Sequence, residues 1–159
     1  MGLTIPVFGQ VIKTEQLSEI RVYATNYKYL NNIDTQEEAS IPVEMLRRKM
    51  ASFNLKDSEF YQDDHDFYNI SFFIPEGKIL AAYDNTGKII RTVERFKDIN
   101  LPTSVKEAVL DRFPEWTITK DIYMVRYHDS KGVTKKYKLK LENGEKVLRV
   151  KMDGMGKFF

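Results

Sequence analysis

Within Thr134 to Glu142 apolar and basic residues alternate from Lys136 to Leu141, Tyr137, Leu139 and Leu141 on one parity and Lys136, Lys138 and Lys140 on the other. Successive side chains of a strand point to opposite faces, so this stretch is a strand with one greasy and one cationic side. Asn143-Gly144 follows at once, a dipeptide that supplies the positive-φ residues of a tight hairpin turn. The next run, Glu145 to Met152, alternates in the same sense, with Leu148, Val150 and Met152 set against Arg149 and Lys151. So short a connection lays the second strand antiparallel beside the first. The chain therefore contains a sheet with one face that needs cover and another that carries a basic row.

The same grammar recurs upstream. Phe67 to Ile74, Lys78 to Tyr83 and Lys88 to Phe96 are strand-length runs, broken by Pro75-Glu76-Gly77 and by Asp84-Asn85-Thr86-Gly87, with glycine expected where φ turns positive. Thr117 to His128 and Val133 to Glu142 flank Asp129-Ser130-Lys131-Gly132. Short turns of this kind join neighbours in a meander. Two segments have helical spacing instead. Pro42 opens the first, where a missing N–H has no partner to lose, and Met45, Leu46, Lys49, Met50 and Phe53 form its expected buried stripe. The second follows Leu101-Pro102, carries Val105, Ala108, Val109 and Phe113 on its apolar face, and stops at Pro114. Alternating aromatics in Ile20 to Leu30 read as a further strand, and Asn31 to Glu38 as a polar loop.

An internal repeat organises these pieces. Ile41-Pro42 with Phe53 matches Leu101-Pro102 with Phe113, and Asp84-Asn85-Thr86-Gly87-Lys88 matches Asp153-Gly154-Met155-Gly156-Lys157. Each copy reads helix, strand, strand, strand. The chain divides accordingly into an N-terminal strand and loop over 10–40, a first unit over 41–100 and a second over 101–159. The apolar stretch Leu3 to Gly9, within residues 1–9, reads either as the tail of a secretory signal cleaved before Gln10 or as an ordinary hydrophobic N-terminal tail.

Leu101-Pro102, Arg112-Phe113-Pro114, Trp116-Thr117-Ile118, Tyr137 to Gly144 and Val150 to Gly154 together resemble the PepSY-like, or β-lactamase-inhibitor-protein-like, domain family. The resemblance covers Leu101 to Lys157 well and Ile41 to Lys88 more loosely. It implies exported, periplasmic or secreted proteins with tandem copies, helices on one face of an antiparallel sheet, inhibitory or interaction roles, and no catalytic residues. The acidic Asp63-Asp64-His65-Asp66 of the first unit departs from the pattern.

Composition narrows the chemistry further. Without a single Cys there are no disulfides, thiol nucleophiles or thiolate metal sites. The only two histidines, His65 and His128, are too far apart in sequence for a paired-imidazole phosphate site, and no glycine-rich phosphate loop is present. Asp57, Glu59, Asp63, Asp64, His65 and Asp66 cluster, but lack the ordered loop that holds Ca²⁺ and read as a solvated connection. His128-Asp129-Ser130 are consecutive in a turn, which cannot line up nucleophile, base and orienting acid. Trp116 reads as a lid between helix and sheet.

The expected architecture is α+β: a mainly antiparallel sheet of about seven strands with two helices packed on one face. Net charge is unevenly spread, with 14 Lys and Arg against 18 Asp and Glu up to Trp116, and 11 against 5 beyond it. That basic half points to Lys136, Lys138, Lys140, Arg149 and Lys151 as a binding row for an acidic protein surface or polyanion. The other reading of this row is a solvent-facing surface that lysine keeps soluble. No aromatic RNA-binding motif or Arg-rich recognition helix accompanies it, so specific nucleic-acid binding is not expected. No run approaches the ~20 apolar residues of a membrane-spanning helix. The functional expectation is an exported, periplasmic or secreted, non-catalytic binding or inhibitory module without cofactor or metal, a cytoplasmic location being the alternative. The competing function is a small-molecule carrier or small enzyme with a pocket between sheet and helices.

Overall fold

The computed structural model describes residues 25–33 and 40–159. Three helices are described: α1 (Tyr27–Ile33), α2 (Ile41–Ala51) and α3 (Thr103–Arg112). Six strands form one sheet in chain order: β1 (Phe67–Ile74), β2 (Gly77–Asp84), β3 (Ile89–Lys97), β4 (Thr117–His128), β5 (Gly132–Asn143) and β6 (Lys146–Asp153). Every neighbouring pair is antiparallel. The α+β class and the helix-then-three-strands order, seen twice, are as the sequence predicts. The strand count is six among the described residues, not seven.

A seventh strand is expected from the sequence at Ile20 to Leu30. Its first part, and the loop over 34–38, lie outside the described residues; its second part belongs to helix α1. There Asn26, Tyr29 and Ile33 are buried at i, i+3 and i+7, a helical stripe. The 3.6-residue period prevails over the alternation of tyrosines because Tyr29 and Ile33 must reach the sheet together. Asn26 ties this start down: its amide donates to Ala51 O and Gly87 O, both at 3.2 Å, and its carbonyl accepts from Ile89 N at 2.7 Å.

Helix α2 faces the sheet with Val43, Leu46, Arg47 and Met50, while Met45 is 66% exposed. The expected stripe was therefore rotated by about one residue, because a charged Arg47 occupies a position that hydrophobicity alone would assign outward. Val105 and Val109 of α3 are buried as expected, with Ala108 and Phe113 partly so. All three helices contribute to one core, whose sheet side consists of inward residues from every strand, from Tyr68 and Ile70 on β1 to Met152 on β6. The helices share one face of the sheet. Trp116 packs at the margin of this core, as a lid would.

The two Asp-x-x-Gly turns are superposable in their bonding. Asp84 Oδ1 accepts from Thr86 N and Lys88 N at 2.9 and 3.0 Å; Asp153 Oδ1 accepts from Met155 N and Lys157 N at the same two distances. Gly87 and Gly156 take φ of 88° and 84°, a conformation that glycine adopts without strain. Their places differ, however. The first turn joins the second and third strands of its unit, whereas the second follows the third strand and leads into the Met152–Phe158 bridge. The irregular stretch 52–66 thus stands where the second unit has a full strand, which accounts for its longer spacing.

Gly77 serves a purpose other than the expected positive φ, which it does not adopt. A Cβ there would lie 2.2 Å from Arg95 O and 2.8 Å from Phe96 Cα, both backbone atoms of the next strand. Gly77→Ala is expected to cost about 2 kcal/mol or more, since only strand separation could relieve the overlap. Chemical denaturation of the two proteins would measure it; equal midpoints would contradict the close approach.

Candidate functional site

The covered parity of each strand leaves the other parity facing away from the helices. On that open face stand Lys78 of β2, Arg91, Arg95 and Lys97 of β3, and Lys120 and Arg126 of β4. Lys136, Lys138 and Lys140 of β5 and Arg149 and Lys151 of β6 bring the cations of this face to eleven among the described residues. The five expected residues are among them and lie together at one end. Lys138 sits directly opposite Lys151, Lys140 directly opposite Arg149, and Lys120 opposite Lys140 on its other flank. Like charges placed opposite one another across strands destabilise a sheet. Among the described residues, no carboxylate comes within ion-pair distance of Lys138, Arg149 or Lys151, while Lys140 meets Glu142 at 2.8 Å. Hydrogen bonding to Lys140 holds the Glu142 carboxyl below its ordinary range.

Two other carboxylates at the margins of this face, Asp84 and Asp153, are engaged in holding their own turns. Burial pushes the Asp121 carboxyl up; it lies on the covered side and accepts from Ile99 N at 3.1 Å, fixing the exit from β3 toward α3. The residues Lys120 to Ile122, Lys138 to Lys140 and Arg149 to Lys151 line a depression of about 410 Å³. Beside it, Arg112, Phe113, Phe158 and Phe159 join Arg149 to Lys151 around a second, of about 370 Å³. The basic row thus borders concave surface.

The open face is not purely cationic. Leu80 is directly opposite Val93, and Phe73 and Met124 lie diagonal to that pair, so an apolar stripe crosses β1 to β4. Phe73, Leu80 and Val93 are 69, 42 and 48% exposed. Reading the second half alone could not reveal this stripe, because it is assembled from strands of both units.

The interior between sheet and helices is more polar than the sequence predicts. Glu94, on the inward parity of β3, has a fully buried side chain. Arg47 of α2 donates to its Oε2 from Nε and from a terminal nitrogen, at 2.9 and 2.8 Å. Tyr29 of α1 and Thr92 donate to Oε1, the latter at 3.2 Å. Burial, and then Glu94, push the Tyr29 hydroxyl well above its ordinary pKa, so it remains a donor. Burial alone would lower the Arg47 value; Glu94 more than offsets this and holds the guanidinium charged. Arg47 also lies 5.8 Å above the Tyr123 ring. These four groups satisfy one another, whereas the hydroxyl of Tyr127, whose ring packs edge-on against Tyr29 at 5.1 Å, is buried and makes no hydrogen bond among the described residues. The signal that could have found them was Glu94 itself, an acid at an inward position of a strand.

The acidic stretch 57–66 is largely exposed, and no group of three or more metal-ligating side chains is found among the described residues. His128 Nδ1 is met by both Ser130 Oγ at 2.9 Å and Asp129 Oδ1 at 3.2 Å. A catalytic triad needs the acid and the nucleophile on different ring nitrogens, so this cluster is a turn. No helix among the described residues is long and apolar enough to cross a membrane.

No protein-family model, curated protein or solved structure matches the chain. The fold and the face together define a single-sheet α+β protein with one helix-covered side and one open, cation-rich side.

Proposed function

We propose that the chain is an exported, non-catalytic binding module of PepSY-like type that captures an acidic protein on the open face of its sheet. The observation that carries this reading is the apolar stripe through Leu80 and Val93 set among eleven cations. Protein interfaces combine an apolar centre with a polar, charge-matched rim, whereas a bare polyanion offers nothing to an apolar stripe. The opposed cations of β5 and β6 give the same indication: a sheet that bears such repulsion gains stability when a partner's carboxylates neutralise it. The repeated order of one helix and three strands supports the family resemblance, and the engagement of Glu94, Arg47, Tyr29 and Thr92 with one another in the helix–sheet interior supports a binding role over a carrier or enzyme role.

Replacing Lys138, Lys140 and Arg149 together by Glu is expected to weaken capture of the acidic protein at least tenfold with little loss of thermal stability. Leu80→Ser with Val93→Ser should weaken it too, while Glu at Lys56, Lys106 and Lys146 should not. The measurement is affinity capture from a periplasmic extract, with bound proteins identified by mass and titrated individually against each variant. Capture that ignores both sets of changes, or a reproducible metabolite-induced melting shift without any protein partner, would overturn the proposal. Fractionation of cells that make the natural protein tests export; recovery in the cytoplasm alone would remove that part.

A further inference from the structure

The two edges of the sheet are treated very differently. At one end, β6 bears Lys146, Arg149 and Lys151, and the chain's last residues return along it through the Met152–Phe158 bridge and a Phe159 N to Lys151 O bond of 3.1 Å. Charge and a covering segment are the usual means of keeping a sheet edge from pairing. At the other end β1 carries no charge, and although Tyr61 and His65 stack on its Tyr68, no segment among the described residues pairs with its outer backbone edge. Phe67–Ile74 contains no charged residue, no proline and no glycine, and its register against β2 is unbroken. Among the described residues, only β2 pairs with it. Eight residues of flat, uncharged edge present their outward N–H and C=O groups for a further strand.

The side chains of β1 identify which strand fits. Its open-face row reads Phe67, Asn69, Ser71, Phe73: aromatic, polar, polar, aromatic in either direction. Laid antiparallel against itself about Ile70, the strand sets each Phe67 opposite the partner's Phe73 and each Asn69 opposite the partner's Ser71. On the covered side Ile70 meets Ile70, and Tyr68 meets the half-buried Phe72. A shift by two residues in either direction destroys these matches, because Phe67 then faces Ser71 or Pro75. Phe67 and Phe73, exposed at 64 and 69%, would be covered only in the centred register.

We propose that the protein forms a two-fold dimer through antiparallel pairing of β1 with β1 of a second copy, centred on Ile70. The pairing is isologous and closes on itself, whereas pairing β1 with β6 would propagate into filaments and is opposed by the tail and the cations on β6. Directly opposed residues point to the same side of a sheet, so the dimer is one twelve-stranded sheet, twice the six of the monomer, with both helical layers on the same side. The open faces become continuous. This inference holds whatever the open face binds.

The absence of Cys makes the register directly testable. Chains carrying Asn69→Cys and chains carrying Ser71→Cys, mixed and oxidised, should give at least tenfold more disulfide dimer than either alone. Opposed antiparallel residues lie ~4.5–5.5 Å apart at Cα, within disulfide reach, and the like-numbered pairs lie beyond it. Sedimentation of the unmodified protein at micromolar concentration should show the dimer. Ser71→Lys, which sets two cations beside the dyad at an exposed position, should yield a monomer that still unfolds in one cooperative transition, at a temperature independent of protein concentration, while Thr134→Lys on β5 should leave the dimer intact. A protein that sediments as a monomer throughout, a dimer indifferent to Ser71→Lys, or equal cross-linking of mixture and single variants would overturn the proposal. So would a monomer whose β1 amides are all protected from exchange, since another segment of the chain would then hold the edge.

Discussion

Arg47→Met is expected to destabilise the protein by about 3–5 kcal/mol, and adding Glu94→Leu to the same chain should restore most of the loss. The asymmetry follows from where the charges sit. Glu94 is buried between sheet and helices, and Arg47 supplies both of the donors to its Oε2. With Met at position 47 the carboxylate keeps Tyr29 and Thr92 on Oε1 but loses its counter-charge in a medium that solvates it poorly. Removing both charges deletes the Coulombic gain and the desolvation penalty together, and these roughly cancel in a buried pair. Tyr29→Phe should cost about 1–2 kcal/mol, because it removes one donor to a charged acceptor. Urea denaturation of the four proteins gives the comparison. A double variant no better than Arg47→Met would mean that the pair fixes the docking of α1 and α2 in a way that packing cannot replace.

This network shows where the sequence stops being readable. Strands β4 to β6 are legible because one face needs cover and the other does not, so period-two alternation persists through Tyr137-Lys138-Leu139-Lys140-Leu141. Helix α2 is legible as a helix but not in its facing, since Arg47 points inward only because Glu94 awaits it from a strand 47 residues away. Pairings at that separation leave no periodic trace. Helix α1 is misread for a related reason: Tyr23, Tyr27 and Tyr29 mimic alternation, and only the sheet beneath Tyr29 and Ile33 selects the helix. The basic row of β5 and β6 is visible in the sequence because a two-residue turn joins the two strands. Its extension over Lys78, Arg91, Arg95, Lys97, Lys120 and Arg126 is not, because it depends on β3 lying beside β4 across the α3 connection. The candidate face is therefore half legible: its residues of highest charge density are local, and its apolar stripe is a product of strand order.

Tyr137→Asp should abolish folding altogether. Tyr137 is buried near the middle of β5, stacked on Tyr123 with ring centroids 4.7 Å apart, and paired across the hairpin with the fully buried Met152. Truncating a buried aromatic costs about 3–5 kcal/mol. A carboxylate placed at the end of a shorter side chain adds the desolvation of an unpaired charge, against a total stability of about 5–15 kcal/mol for a domain of this kind. The loss cannot stay within the second unit, because β3 and β4 are joined by an uninterrupted ladder from Arg91–His128 to Lys97–Ile122, and unfolding β4 would strip the inward residues of β3 of their neighbours. A single cooperative transition is therefore expected for the wild type, and its disappearance for the variant. Tyr137→Phe, which keeps the ring, should fold and melt within a few degrees of wild type, and Lys136→Asp, one residue away on the open face, should do likewise. Circular dichroism melts of the three variants separate the effect of charge from the effect of side. If Tyr137→Asp retained the wild-type transition while Lys136→Asp lost it, the inward and outward faces of β5 would have to be exchanged, and with them the surface offered to a partner.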